Sequence, residues 1–160
     1  MEIFRVTFIG HREQNNISCI EDEIEKKARE LLYRHEYIEF YVGRNGDFDI
    51  SAASAIRRVQ KAYGKERCSL ILVLPYSVKN EIYYEKYYDE ILFPLNSNTH
   101  HKQAITKRNE WLIDNSNLLI CYVEENRRGG ALTVLKKARK GGIEIINLAT
   151  RDYKKTDFCD

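Results

Sequence analysis

The chain has 160 residues, of which 43% are hydrophobic and 31% are charged. This length suits one domain with one substantial core and argues against a second, so residues 1–160 are predicted to fold as a single domain. The 26 Lys and Arg residues against 24 Asp and Glu leave a formal charge of only +2, too balanced for the extended basic face of a dedicated nucleic-acid binder. Any cationic function must therefore be local.

The cysteines and the apolar runs bear on where the protein works. Cys19, Cys68, Cys121 and Cys159 form no C-x-x-C pair, and two of them fall inside apolar runs, which favours free buried thiols over a disulfide or zinc framework. No run approaches the roughly 18 apolar residues of a membrane span, and no basic segment leads an apolar one at the N-terminus. The sequence predicts a cytoplasmic protein with no membrane contact, no cofactor and no metal site.

Apolar runs alternate with helix-spaced segments along the chain. Strands are predicted at 3–9, 38–42, 69–74, 118–123 and 143–148, and 90–94 is a short apolar piece of uncertain type. Helices are predicted at 18–34, opened by a Ser18-to-Glu21 capping box, then between Asp49 and Gly64, and at about 78–88, 101–114 and 131–140. This order predicts an α/β, Rossmann-like doubly wound, mainly parallel sheet of about five strands with helices on both faces.

Three glycine-bearing polar loops each follow a predicted strand. The first, Gly10-His11-Arg12, combines a residue that lets backbone approach a ligand with a planar donor group matched to phosphate or carboxylate. The alternative is a tight turn with a solvent-facing Arg12 and a structural His11. Because the carboxyl ends of parallel strands share one edge, the three loops are predicted to converge on one crevice.

The second loop, Gly43-Arg44-Asn45-Gly46-Asp47, precedes a second carboxylate at Asp49. Asp49 is predicted to cap the following helix, a structural role. Asp47 is then free to face the crevice and to accept hydrogen bonds from ribose hydroxyls, as acidic residues do in dinucleotide-binding folds.

The third loop, Arg127-Arg128-Gly129-Gly130, leads directly into a helix. The N–H groups and positive dipole end of a helix N-terminus favour an anion, and Thr133 adds a hydroxyl. The alternative is an exposed basic loop with a glycine hinge. The preceding helix offers Arg108 and Asn109 to the same ligand, beside a core or pocket-flanking Trp111.

A fourth cluster lies on the predicted helix at about 78–88, which carries Tyr83, Tyr84, Tyr87 and Tyr88. This is more aromatic surface than one helix face buries. The cluster is interpreted as part core and part homo-oligomer interface, with base stacking as a weaker alternative.

These motifs, in this order, resemble the SLOG superfamily, the Rossmann-like group that includes the DNA-processing protein DprA and the LOG phosphoribohydrolases, and most closely its small stand-alone YpsA-like branch. The resemblance rests on the three loops together with Arg108-Asn109-x-Trp111-x-x-Asp114-x-Ser116, Arg128-Gly129-Gly130-Ala131-x-Thr133 and Lys140-Gly141-Gly142-Ile143. It covers most of the chain. It implies a crevice that binds nucleotides or nucleotide-derived signals, which some members sense in antiviral defence.

One departure from the family pattern concerns catalysis. LOG enzymes carry P-G-G-x-G-T-x-x-E, whose Glu takes part in cleaving the N-glycosidic bond, whereas here Leu132 stands at the third Gly and Lys136 at the Glu. A cation does not supply the needed carboxylate, which argues against LOG-type hydrolysis unless Asp47 provides one. The sequence also shows no basic groove interleaved with aromatic residues, which DprA-like binding of single-stranded DNA would need.

The expected function is therefore binding of a nucleotide-derived small molecule, ADP-ribose-like or a cyclic (di)nucleotide signal, by a sensor or sequestering protein. The alternative is an enzyme that cleaves a nucleotide N-glycosidic or phosphate linkage. Because no effector domain is attached, a binding protein, a sequestering protein or an enzyme is favoured over a sensor that signals through an effector domain of its own.

Overall fold

A six-stranded parallel sheet lies at the centre of the computed structural model, which describes residues 2–150. Its strands are β1 (Ile3–Gly10), β2 (Tyr37–Val42), β3 (Cys68–Val73), β4 (Glu90–Leu92), β5 (Leu118–Tyr122) and β6 (Glu144–Asn147). The helices are α1 (Ile17–Arg34), α2 (Asp47–Tyr63), α3 (Glu81–Tyr87), α4 (His101–Asp114) and α5 (Gly130–Gly141). The predicted Rossmann-like doubly wound α/β fold is confirmed. The apolar piece of uncertain type is β4, which makes six strands where about five were predicted.

The strand order is β4-β3-β2-β1-β5-β6, so β1 lies between β2 and β5. Val6 of β1 pairs with Phe40 on one side and with Leu118 on the other. From β1 the chain moves outward through β2 and β3 to β4, and then returns through α4 to β5 on the opposite side of β1. This reversal is a topological switch point, where a parallel sheet opens a crevice beyond its carboxyl ends.

Helices cover both faces of the sheet, and each face has its own apolar core. Helices α1 and α2 pack on one face, and the buried side chains there include Phe8, Ile24, Phe40 and Ile56. Helices α4 and α5 pack on the other face, and the buried side chains there include Leu112 of α4, Leu119 of β5 and Leu135 of α5. Because the inner strands are covered on both faces, β2, β3 and β5 are mostly buried, near-continuous apolar runs instead of alternating ones.

Two helix starts differ from the sequence prediction. The Ser18-to-Glu21 capping box is wrong, because α1 begins at Ile17 after Asn16, whose backbone adopts a left-handed conformation with φ 60° and no side-chain cap. Helix α2 begins at Asp47 after Gly46, which places Asp49 within the first turn and not at the cap. The predicted end at Gly64 is confirmed, with φ 95° at that glycine.

The tyrosines of the α3 region divide between core and surface. Tyr88 is buried and Tyr84 packs partly against the core. Tyr83 is 69% exposed and its neighbour Ile82 is 68% exposed. The apolar surface of this short helix therefore lies at Ile82, Tyr83 and Tyr87, beside the edge strand β4.

The thiols of Cys68 and Cys121 are free and buried. Burial raises the pKa of Cys68 to about 11 and that of Cys121 to about 12, so both stay protonated and act as small apolar groups. Cys159 lies outside the described residues. None of the helices formed by residues 2–150 has the length and apolarity needed to cross a membrane.

Candidate functional site

A cavity of about 270 Å³ opens at the switch point, between the carboxyl ends of β1 and β5. It is bounded by the loops that follow β1, β2 and β5 and by one side of α4. The residues that line it are Ile9, Gly10, His11, Arg12, Asn45, Gly46, Asp49, Ile105, Arg108, Asn109, Arg127, Arg128, Gly129, Gly130 and Ala131. The structure therefore brings residues from all three predicted loops together with residues of α4. We call this cavity the crevice.

Most of the sequence-predicted site residues line the crevice, and four do not. The four are Gly43, Arg44, Asp47 and Thr133. Gly43 lies behind the crevice wall, and Thr133 lines a neighbouring cavity while its hydroxyl donates to Gly129 O at 3.3 Å. Arg44 points elsewhere, because its guanidinium lies 4.6 Å from the centre of the Tyr84 ring and donates to Tyr88 Oη at 3.3 Å.

The two acidic residues at the start of α2 have roles opposite to those expected. Asp47 fixes the loop after β1: its backbone N–H donates to Arg12 O at 2.8 Å and its Oδ2 accepts from Gln14 N at 3.0 Å. Asp49 is buried and lines the crevice. Residues two apart on a helix differ by about 200° in direction, so a helix that begins at Asp47 turns only one of the two carboxylates toward the crevice.

The loops after β1 and β2 touch through glycine. A Cβ on Gly46 would collide with the backbone of Arg12, and a Cβ on Gly10 would collide with the ring of Phe48. These contacts give both glycines a packing role, independent of any ligand. They also hold Arg12, whose side chain is exposed, at the rim of the crevice.

His11 joins the loop after β1 to the loop after β5. Its imidazole is buried, and Nε2 accepts a hydrogen bond from the backbone N–H of Glu124 at 2.9 Å. Burial lowers the His11 pKa below its ordinary 6.5 and the Arg127 charge lowers it further, against a smaller upward effect of Glu124. The ring is thus neutral at neutral pH and carries its proton on Nδ1, which makes that nitrogen a donor.

Arg108 is the largest buried charged side chain of the site. It is only 2% exposed; Nη1 donates to Val73 O at 2.8 Å and Nε to Asn109 Oδ1 at 2.9 Å. Its pKa is lowered by burial, with Asp49 acting in the opposite direction. Within the described residues no hydrogen bond joins Nη2 to a protein acceptor, and Arg108 lines the crevice.

Asp49 is the acidic counterpart of Arg108. Its Oδ2 accepts from Asn45 N at 2.9 Å. Burial raises the Asp49 pKa above its ordinary 3.8, while the Asn45 hydrogen bond and the Arg108 charge lower it. The carboxyl group is therefore easier to protonate than an exposed aspartate, which is a property that general acids share.

The start of α5 adds an uncovered helix N-terminus to the crevice. Gly129 precedes it with φ 150°, a conformation that favours glycine. Gly130, the first helical residue, has no heavy atom within 4 Å of the position its Cβ would take. Neither packing nor the backbone conformation of Gly130 requires a glycine there, so a Cβ at this position would extend into open space beside the crevice.

Sequence reasoning missed Ile9, Asp49, Ile105 and Ala131 as lining residues. Two signals point to some of them: Ile9 is the last residue of the predicted first strand, directly before the glycine loop, and Ile105 lies one turn before Arg108 and Asn109 on the same side of α4. The sequence does not indicate that Asp49, and not Asp47, faces the crevice, because this depends on the residue at which α2 begins.

The charge around the crevice is cationic, with arginines as its main polar groups. Across residues 2–150, no group of three or more His, Cys, Asp or Glu side chains is placed to hold a metal ion.

No protein-family model matches the chain, and a search of curated proteins found no similar sequence. Membership of the SLOG superfamily stays a prediction from the motifs.

Proposed function

We propose that this protein binds a phosphate-bearing, nucleotide-derived small molecule in the crevice, as a sensor or a sequestering protein. The observation that carries the proposal is the charge of the crevice. Arg12, Arg108, Arg127 and Arg128 line it against the single carboxylate of Asp49, among the lining residues that belong to the described chain. Four guanidinium groups at one switch point form a site for an anion with several oxygen atoms.

The geometry of the donors supports phosphate over a simple carboxylate. The guanidinium of Arg108 is held by Val73 and Asn109 before any ligand arrives, so little conformational entropy is lost when it binds. The N–H groups at the start of α5 approach from a second direction, with their positive dipole end. Phosphate accepts hydrogen bonds from several directions at once, which suits donors on separate loops.

The nucleotide part of the proposal draws on fold position and on the SLOG resemblance. In doubly wound sheets, nucleotides bind at the switch point beyond the carboxyl ends of the strands. The resemblance is the reason to propose ADP-ribose-like molecules or cyclic (di)nucleotide signals, including signals of antiviral or phage defence, as the ligand class. The test incubates the protein with a panel of these compounds and measures affinity by calorimetry. Absence of binding across the panel would overturn the proposal.

Binding without consumption is favoured by helix α5. Its residues, Gly130–Gly141, include no carboxylate, and Lys136 is exposed and lines no part of the crevice. The helix therefore offers donors for binding but no acid or base for cleaving a glycosidic bond. Chromatography of the ligand released by denaturing the complex tests this, because a binder returns the compound intact.

A second candidate function is supported by Asp49. A buried carboxyl group with a raised pKa, facing a crevice, is the kind of group that donates a proton to a leaving group. This favours an enzyme that cleaves an N-glycosidic or phosphate linkage, with Asp49 as the catalytic carboxylate where the sequence analysis proposes Asp47. Release of free base or ribose phosphate over many turnovers by wild-type protein would establish this function instead.

A further inference from the structure

A second cavity, of about 390 Å³, lies between α4 and α5 next to the crevice. Its apolar lining includes Ile105, Ile113 and Val134, with polar side chains such as Thr106 and Thr133 among them. We call it the α4–α5 groove. No function described above uses it.

The crevice and the groove are adjacent and share part of their lining. Ile105, Asn109 and Gly130 line both. Gly130 is also the position where a Cβ would meet no heavy atom within 4 Å. The two cavities therefore meet at these three residues, and Gly130 contributes no side chain at this junction.

The size of the crevice also favours a ligand that extends beyond it. At about 270 Å³ it is smaller than the roughly 300–1,000 Å³ of sites that hold drug-sized ligands. A drug-sized ligand whose phosphate lies in the crevice would therefore extend into adjacent space. The groove is the adjacent space, beginning at Asn109 and Gly130.

The charges of the two cavities are opposite in character. The crevice has four arginines, whereas the groove has the carboxylates of Glu110 and Asp114 and one cation, Lys137. Lys137 is already paired with Glu110 at 2.6 Å. A second phosphate in the groove would meet uncompensated carboxylate charge, while an uncharged ring would pack on Ile113 and Val134 and present its polar edge to the carboxylates.

We propose that the α4–α5 groove is a nucleobase subsite, which binds the uncharged ring of a nucleotide whose phosphate lies in the crevice. This rests on the proposed phosphate-binding function of the crevice. It adds that the ligand lies across Gly130, from the arginines to the apolar side chains between α4 and α5.

The first test compares two probes that share a ribose 5-phosphate group and differ in the base, namely ribose 5-phosphate and AMP. Calorimetry with wild-type protein should give AMP an affinity at least about tenfold higher, because burying one or a few apolar groups in a protein pocket changes affinity by this order. Equal affinities would overturn the base subsite. Because this comparison uses no variant, it does not depend on how a substitution folds.

The second test fills the groove. Thr106 is exposed on α4 and lines the groove but not the crevice, so Thr106→Trp should weaken AMP binding about tenfold and leave ribose 5-phosphate within about twofold. Gln103→Trp is the matched control, since Gln103 is exposed on the same helix and lines neither cavity. Circular dichroism checks that both variants are folded.

The outcomes separate this inference from the function on which it rests. If neither probe binds wild-type protein, the subsite fails, while the proposed function is decided separately by the panel of ADP-ribose-like and cyclic (di)nucleotide compounds. If both probes bind equally well and Arg12→Ala weakens both, the phosphate site stands and the subsite alone is wrong. AMP binding that survives Thr106→Trp unchanged also overturns the subsite.

Discussion

Arg108 and Asp49 both lie close to the position that a Cβ on Gly43 would take, and both are buried beside the crevice. A Cβ on Gly43 would fall 2.5 Å from Arg108 Nη1 and 3.0 Å from Asp49 Oδ2. Each charge has hydrogen bonds to the backbone, Arg108 to Val73 O and Asp49 to Asn45 N. The opposite charges offset part of the cost of burial.

The first prediction concerns the phosphate contact of Arg12. Hydrogen bonds to charged groups contribute about 1.5–3 kcal/mol, so Arg12→Ala should weaken ADP-ribose binding roughly 10- to 150-fold. Calorimetry measures the change. Arg29→Ala is the control, because Arg29 is exposed on α1, pairs with Glu25 at 2.8 Å and does not line the crevice. An unchanged dissociation constant in Arg12→Ala would remove Arg12 from the site.

The second prediction uses two glycines that differ in what surrounds them. Gly130→Ala places its methyl group in open space, so the free energy of unfolding should stay unchanged or rise by about 0.4–1 kcal/mol, while ADP-ribose binding weakens. Gly46→Ala forces its methyl group against the backbone of Arg12 and should destabilise the protein by about 1–3 kcal/mol. Urea unfolding and calorimetry separate the two effects. If Gly130→Ala binds as wild type does, Gly130 is not next to the ligand.

The alternation of strands and helices was predictable because the period of the apolar residues reports which faces are buried. The convergence of the loops followed, since parallel strands share one edge. The roles of Asp47 and Asp49 were not predictable in the same way. They depend on α2 starting at Asp47, which in turn depends on hydrogen bonds to Arg12 and Gln14, 33 to 35 residues away in sequence.

The same limit applies to Arg44 and to the α4–α5 groove. A polar residue in a glycine loop suggests a ligand contact, yet Arg44 packs on Tyr84, which belongs to the distant helix α3. The groove exists because α4 and α5 are neighbours on one face. Neither helix has a local sequence pattern that predicts its contact with the other. Both the position of Arg44 and the α4–α5 groove therefore depend on packing between segments that are distant in sequence.

The third prediction is a pH dependence of stability caused by His11. Its folded-state pKa is depressed, so the stability it contributes is complete above its unfolded value of 6.5 and is lost as the pH falls toward the folded value. Protonated Nε2 also cannot accept from Glu124 N. Wild-type protein should therefore lose more free energy of unfolding between about pH 7.5 and about pH 5.5 than His11→Gln, which cannot titrate there.

Urea unfolding at the two pH values measures this difference. His101→Gln is the control, since His101 is exposed on α4. The raised pKa of Asp49 acts with the opposite sign at lower pH, and it is common to all three proteins. Equal pH dependence in wild type and His11→Gln would show that the His11 hydrogen bond does not couple protonation to folding.

The fourth prediction is a homo-oligomer formed through α3. Ile82 and Tyr83 expose about two thirds of their surface beside the edge strand β4, an arrangement that favours burial against a second copy. Replacing both with Glu should shift the mass measured by light scattering toward the monomer without changing the circular dichroism spectrum. Lys86→Glu is the control on the same helix. Wild-type protein that is monomeric at micromolar concentration would rule the interface out.

The targets of this test differ from those that the sequence favoured. From sequence alone, Tyr84 and Tyr88 are the residues to replace, because the tyrosine spacing does not show which side chains are exposed. Tyr88 is only 3% exposed and its hydroxyl accepts from Arg44, so Tyr88→Glu would bury a carboxylate in the core. Loss of an oligomer in that variant would report unfolding, which is why the exposed pair is the informative choice.

The last prediction asks whether Asp49 holds the site together or performs chemistry. Asp49→Asn keeps the shape of the side chain and an oxygen that can accept from Asn45 N, but it removes both the negative charge and the titrating proton. If the protein only binds its ligand, Asp49→Asn should bind ADP-ribose as tightly as wild type or somewhat more tightly, because one carboxylate less opposes the phosphate. Calorimetry measures the affinity, and chromatography of the released compound should show it intact for both proteins. Asp47→Asn is the matched control, since Asp47 bonds to the loop after β1 and does not line the crevice. Turnover by wild-type protein that disappears in Asp49→Asn, while binding and folding persist in both variants, would instead make Asp49 the catalytic acid of an enzyme.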